Sequence, residues 1–376
     1  MNDRSARGAY LAMLFDGLCV SSASVVLPLL REHYALSYDL SGLLLALLSV
    51  GNLVSALLCG ILPRYWGVRR TALVFTSGLL LGYLLLLGSG AQAAVLLGFL
   101  CIGLGKGSSM NNAIVAAGAA SADRTKSTNL INALFALGSL CAPLLYLCAG
   151  RLPFWRAPLA VLAVSGGVVW LLFWAMRLPS GRRESEQAAD FGFLKSRHFW
   201  YSTVFLFGQQ CAEISVTGWL VTYFKDQGIL SGTLSELTVT VVFLAMLVGR
   251  LIIAFVLPPQ SRLRSLTLMS AASFAAYLLL LLSNSGAAAL VFLFLFGLSI
   301  SGTYPTVIAQ ANHSMSNATV GVMLPVGGIG AVLMPYLIGA VAQRTGIRGG
   351  MVCPLAALVL MLVFAALLKK TEDAGP

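Results

Sequence analysis

Twelve apolar runs, separated by short polar breaks, follow one another along the chain. They lie near 8–30, 40–62, 71–89, 92–118, 128–149, 155–176, 199–224, 235–257, 264–283, 286–311, 317–342 and 348–368. Each holds roughly 20 residues or more, enough to carry a helix across a hydrocarbon core of about 30 Å. The pattern predicts an all-α membrane protein of twelve transmembrane helices. The polar start MNDRSAR leads into the first run with no small-residue cleavage site behind it, so that run is expected to stay as a helix.

The runs fall into two sets of six. A shift of 194 residues lays LSYDLS, from Leu36, on LSGTLS, from Leu230. The same shift lays GLGKGSSMNNAIVA, from Gly103, on GLSISGTYPTVIAQ, from Gly297. Gly138 and Pro143 meet Gly330 and Pro335 at a shift of 192. The expected organisation is a six-helix bundle over 1–176, a polar cytoplasmic linker over 177–198 and a second six-helix bundle over 199–376. Parallel halves of this kind suit a transporter. A channel needs only one continuous pore, and a receptor needs no repeat.

Composition supports this reading: 58% of residues are hydrophobic and 10% charged, against about 25% charged in soluble domains. The net charge of +11 at first suggests a nucleic-acid partner. Its placement argues otherwise. Twelve spans put both termini on one side, and that side carries sixteen basic residues: Arg4, Arg7, Arg64, Arg69, Arg70, Arg124, Lys126, Arg177, Arg182, Arg183, Lys195, Arg197, Arg262, Arg264, Lys369 and Lys370. The other side carries six: Arg31, Arg151, Arg156, Lys225, Arg344 and Arg348. The positive-inside rule then places both termini in the cytoplasm, and no nucleic-acid partner is expected. The seven cysteines lie in or beside apolar runs without a C-x-x-C pair, and the three histidines are far apart. Neither set suggests a metal site.

Four charged residues fall inside runs: Asp16, Lys106, Glu213 and Arg250. Charge at that depth usually faces an interior cavity or a partner. Asp16 and Lys106 sit at depths that allow them to meet across the first bundle, as a structural pair or as a site. Glu213 follows Gln209 and Gln210, shares a helix face with Gln210 and Thr217, and precedes Trp219. Carboxylate, amide, hydroxyl and indole together suit a polar, polyhydroxylated solute. Asn112 on the fourth run and Asn132 on the fifth are further substrate-binding candidates, and Arg250 is read as a gating or structural residue. GLGKGSS lacks the spacing of a phosphate loop, and no nucleophile or nucleotide motif occurs elsewhere. The chain does not read as an enzyme, and no cofactor is expected.

GILPRYWGVRR, from Gly60 to Arg70, resembles the G-x-x-x-D-R-x-G-x-R-R loop of the major facilitator superfamily. Gly60, Gly67, Arg69 and Arg70 match and Arg64 stands in the middle of the motif, whose acid is missing. The resemblance implies that these residues gate the cytoplasmic side. GLGKGSSMNNAIVA, GQQCAEISVTGWLVTYF and SGTYPTVIA followed by GGIGAVLMPYLIG are similar to the fourth, seventh, tenth and eleventh spans of the fucose–galactose–glucose:proton symporter branch. That likeness implies the major facilitator fold, a sugar as solute and proton coupling. The acids that branch carries on its first and fourth spans are matched here by Ser24 and Ser108. Asp16 and Glu213 are then the membrane carboxylates left for proton coupling.

The reading is a secondary transporter of a small polar solute, working by alternating access and driven by proton symport, with sodium as the other candidate ion. The expected setting is the inner (plasma) membrane, and the expected state is a monomer in the bilayer. The alternative is an exporter of amphipathic compounds, or an exchanger of organic anions centred on Lys106.

Overall fold

The computed structural model describes residues 3–120, 124–176, 178, 191–253, 262–315 and 317–373. All regular structure among them is helical. The chain divides into two compact units, Met1–Ser185 and Glu186–Pro376. The first contains α1 (Asp3–Ser21), α2 (Ala23–Tyr34), α3 (Tyr38–Ile61), α4 (Pro63–Trp66), α5 (Val68–Gly88), α6 (Gln92–Ala120), α7 (Arg124–Ala149) and α8 (Ala157–Ala175). The second contains α9 (Arg197–Gln227), α10 (Gly232–Leu251), α11 (Arg262–Leu282), α12 (Gly286–Ile300), α13 (Thr303–Ser314), α14 (Asn317–Gly328), α15 (Gly330–Thr345), α16 (Ile347–Gly350) and α17 (Cys353–Asp373). Of the expected linker, only 178 and 191–198 lie among the described residues. Arg177, Arg182 and Arg183 lie outside them, as do the side chains of Arg4, Arg124 and Lys126.

Among the described residues, eleven helical stretches are long and apolar enough to cross a membrane. The remaining run, the seventh, is α9, whose 31 residues span about 46 Å at 1.5 Å per residue. Its glutamines and glutamate keep it below the apolarity of the rest.

Four of the twelve expected spans are each built from two helices. In the first, the Ser22 hydroxyl donates to the Leu18 carbonyl at 2.7 Å and interrupts the helix between α1 and α2. In the tenth, Ser301 and Thr303 bond back to Leu298 and Ile300, and Pro305 withholds a backbone donor, so α12 and α13 are separated. The eleventh breaks at Ile329, between Gly328 and Gly330. The twelfth breaks at Met351–Val352, between α16 and α17. In the eighth, regular α-helix ends at Leu251 and two π-helical residues follow, so the expected extension to 257 is only partly described.

Lipid tails are as apolar as leucine, so helices in a bilayer associate through close packing of small residues rather than by burying oil from water. Within each unit the tightest crossings are made by glycines, and they obey the repeat. A methyl group on Gly103 would collide with the Leu48 carbonyl, where α6 crosses α3. One on Gly297 would meet the Val242 carbonyl at 2.9 Å, where α12 crosses α10, and both residues of that pair lie 194 later. Gly138 presses on the Leu14 carbonyl, and Gly330 on the Phe207 carbonyl. Ser41 donates to the Ser37 carbonyl at 2.8 Å, and Ser235 to that of Ser231 at 3.0 Å.

Arginines close the helix ends. The last carbonyls of a helix have no partner within it and attract cations. Arg156 donates to the Leu87 carbonyl near the end of α5 at 2.7 Å, and Arg348 to the Leu281 carbonyl near the end of α11 at 3.2 Å. These staples occupy equivalent places in the two units. Arg156 also donates to the Tyr34 hydroxyl at 3.0 Å and lies over the Trp155 ring. Arg156→Ala is expected to cost about 2 kcal/mol, the range for losing a charged hydrogen bond and stranding its acceptor. Arg348→Ala, at a more exposed site, is expected to cost about half as much. Thermal unfolding in detergent checks both, and equal losses would contradict the account.

Candidate functional site

In the first unit the polar residues converge on α1. Asp16 is completely buried. The Ser109 hydroxyl of α6 donates to Asp16 Oδ1 at 2.6 Å, and Asp16 Oδ2 has no hydrogen-bond partner among the described residues. Lys106 lies one turn before Ser109 on the same face of α6, within electrostatic reach of the carboxylate. Ser109 also bonds to the Lys106 carbonyl at 3.0 Å. Tyr83 of α5 donates its hydroxyl to the Cys19 carbonyl, a turn further along α1, and is itself within electrostatic reach of Asp16. The expected approach of Asp16 and Lys106 is therefore present, with Ser109 and Tyr83 closing the group.

In the second unit the centre is Glu213 on α9. The Gln209 amide donates to Glu213 Oε2 at 2.5 Å. Gln209 is buried, and its Oε1 has no partner among the described residues. Thr217 donates to the Glu213 backbone carbonyl at 2.8 Å, and Gln210 is half-buried on the next position of the helix. Tyr304 of α13 lies within electrostatic reach of both the Glu213 carboxylate and the Arg250 guanidinium of α10.

Other expected site residues are committed to helix junctions. Trp219 is fully buried and donates its indole N–H to the Pro335 carbonyl at 3.1 Å. The Asn112 amide bonds to the Ser108 carbonyl at 2.8 Å and to the Ser108 hydroxyl at 3.2 Å, with the Cys59 sulfur at 3.8 Å. Ser108 in turn meets Thr76 at 3.1 Å. Asn132 is half-buried on α7.

The connection from the end of α3 through α4 to the start of α5 exposes Gly60, Arg64, Arg69 and Arg70, together with Tyr65 and Trp66. Arg69 donates to the Trp174 carbonyl at the end of α8 at 2.9 Å, a third helix-end staple. Gly67 joins α4 to α5 at φ 80°, ψ 150°, a backbone region that is essentially closed to side chains. Gly67→Ala is expected to destabilise the protein by about 1–3 kcal/mol through backbone strain alone, since no atom lies within 4 Å of the added carbon. Unfolding of the two proteins in parallel measures it.

Ser109, Tyr83 and Tyr304 escaped the sequence reading. Ser109 carried one signal, its spacing of three residues from Lys106. Among the described residues, no group of three His, Cys, Asp or Glu side chains is placed to hold a metal ion.

A repeated all-helical bundle with charged groups held inside each half is the build of a multi-pass membrane transporter. The family profile of the Major Facilitator Superfamily matches residues 9–324, and the chain belongs to that superfamily. It is a transporter and not an enzyme. A search of curated protein sequences returned no match. Among solved structures, the nucleoside transporter NupG is similar at a TM-score of 0.78 and 12% identity, covering 98% of this chain and 99% of that one. A D-xylose-proton symporter is similar at 0.77 and 14%, covering 97% and 96%. FucP, a major facilitator transporter in the outward conformation, is similar at 0.64 and 15%, covering 97% and 99%. At these identities the likeness shows the fold.

Proposed function

We propose that the protein is a secondary active transporter that moves a small polar solute, a sugar in the first instance, by alternating access and proton symport. The observation that carries the reading is the pair of membrane carboxylates, one in each unit, each accepting a hydrogen bond from a neighbouring side chain. Asp16 has one oxygen engaged by Ser109 and the other without a partner among the described residues. Glu213 is engaged by Gln209, beside the half-buried Gln210 and within reach of Tyr304. The unengaged Asp16 oxygen takes up a proton or a solute hydroxyl without dismantling the helix packing.

Asp16, Lys106 and Glu213, with Gln209 and Gln210, are the residues assigned to solute and proton. Tyr304 is added to them. Asn112 and Trp219, tied into helix junctions, and Asn132 are not used. Arg250 and the loop residues Gly60, Arg64, Gly67, Arg69 and Arg70 are assigned to gating. The similar D-xylose-proton symporter favours a sugar, and the nucleoside transporter keeps nucleosides in the panel. The uneven distribution of basic residues supports both termini facing the cytoplasm, with the inner (plasma) membrane as the setting.

The test is a thermal-shift panel of sugars, sugar acids and nucleosides on purified protein, followed by uptake into proteoliposomes with and without a proton gradient. A ligand at one hundred times its Kd stabilises the folded state by about 2.7 kcal/mol. Uptake of the bound solute should collapse when a protonophore is added. Uptake that persists without the gradient, or follows a sodium gradient instead, would end the proton-symport reading.

A further inference from the structure

Between Asp39 and Asp123 the chain has no acidic residue, yet Arg64, Arg69 and Arg70 fall together inside that stretch. Among the described residues none of the three makes an ion pair. Arg69 is spent on the Trp174 carbonyl at the end of α8. Arg64 on α4 and Arg70 at the start of α5 are exposed and keep their guanidinium donors for something outside the chain.

Apolar rows lead away from both. On α5, Val74 and Leu81 follow Arg70 by four and eleven residues, and each is half exposed. That spacing places the three on one helix face, with Leu81 about 16 Å from Arg70 at 1.5 Å per residue. On α3, Val54, Leu57 and Ile61 form a second exposed row that runs up to α4. α4 joins the two helices and contributes Tyr65 and Trp66. Tyr65, 78% exposed, is the most exposed large hydrophobic side chain among the described residues.

Exposed apolar rows on membrane helices face hydrocarbon, and tyrosine and tryptophan at their ends sit at headgroup level. A guanidinium at that level binds a phosphate through two parallel hydrogen bonds. We propose that α4 and the helix ends beside it form a seat for one anionic phospholipid. Arg64 and Arg70 hold the headgroup phosphate at the level of Tyr65 and Trp66. The acyl chains lie along Val54, Leu57 and Ile61 and along Val74 and Leu81.

Free phosphate has no use for the rings or the apolar rows, so the occupant is a lipid. Its charge follows from the missing acids. A zwitterionic headgroup brings a cation of its own, and this seat holds no carboxylate to receive it. An anionic headgroup brings none. The seat gives the gating loop a partner and is independent of the solute and proton assignments.

Native mass spectrometry of the purified full chain in detergent, titrated with phosphatidylglycerol or phosphatidylcholine, reads the affinity. Phosphatidylglycerol should bind at least tenfold more tightly. Arg64→Gln combined with Arg70→Gln should weaken it about 25-fold, from about fivefold for each basic residue near an anionic headgroup. Lys369→Gln combined with Lys370→Gln removes the same charge from the exposed end of α17 and should leave the affinity within about twofold. Pro63→Asp keeps every arginine and places an acid beside Arg64, at a first helical position that accepts one. It should weaken phosphatidylglycerol about fivefold, and it tests the seat should the double arginine variant fail to fold.

Equal affinity for the two lipids would overturn the proposal. So would an equal loss in the Lys369 and Lys370 variant, which would show a general attraction of a basic protein for anionic lipid. Inorganic phosphate that displaces the lipid at the lipid's own concentration would reduce the seat to a plain anion site and overturn it too. None of these measurements uses solute or a proton gradient. Their failure leaves the symport reading standing, and a failure of that reading leaves the lipid seat standing.

Discussion

Glu213→Gln is expected to lower solute uptake on the order of a hundredfold while leaving the protein folded. Glutamine has nearly the volume of glutamate, and its carbonyl oxygen still accepts the hydrogen bond that the Gln209 amide now gives to Glu213 Oε2. The helix contacts of α9 should therefore survive. What disappears is the negative charge of the carboxylate. Removing one charged partner from a desolvated hydrogen bond costs about 2–5 kcal/mol, and 1.4 kcal/mol is a factor of ten. The loss should appear as a raised KM and a weaker thermal shift with the solute, at an unchanged melting temperature without it. A variant that melts early in the absence of solute would instead assign Glu213 to the fold, as the clamp between α9, Tyr304 and Arg250.

The second large effect is structural and tests the internal repeat. Gly103→Leu and Gly297→Leu should each prevent accumulation of folded protein. Overpacking a core commonly costs about 1–3 kcal/mol when side chains are able to move aside. Here the obstacles are the backbone carbonyls of Leu48 and Val242, which cannot rotate away without parting the helices. Gly232→Ala, at the start of α10 with nothing within 4 Å of the added carbon, is the matched control and should be tolerated. Size-exclusion profiles of the three proteins give the answer. If Gly297→Leu folds normally while Gly103→Leu does not, the two crossings are not equivalent in energy, whatever their geometry.

Much of the fold was legible in the sequence because the signals are long-range averages. An apolar run of helical length tolerates many individual residues, and glycines spaced at a constant shift survive as a pattern. The site was legible only in part, for a physical reason. A carboxylate or lysine in an apolar run is anomalous by itself, so Asp16, Lys106, Glu213 and Arg250 stood out. Ser109 and Tyr304 are ordinary residues of such runs, and only the packing of α6 on α1 and of α13 against α9 gives them partners. Conversely, Asn112 and Trp219 looked available because their polar atoms are visible in the sequence, whereas Asn112 bonds back to Ser108 one turn earlier on α6, and the Pro335 carbonyl that occupies Trp219 belongs to helix packing. Of the two glutamines singled out beside Glu213, Gln209, four residues before it, makes the bond.

The breaks in the helices are unevenly shared, and that has a consequence for how the backbone breathes. α6 and α7 run unbroken, whereas the spans that match them by the repeat are each divided, into α12 and α13 and into α14 and α15. Each division removes main-chain hydrogen bonds that would otherwise have to rupture for the segment to bend. Amide protons around Ser301–Gly302 and Ile329 should accordingly exchange with deuterium faster than those at the matching Gly107–Ser108 and Phe135–Gly138 positions, by the margin that local opening confers. The second half of the duplicated chain would then act as the compliant partner, and the first half, which buries Asp16, as the stiff one.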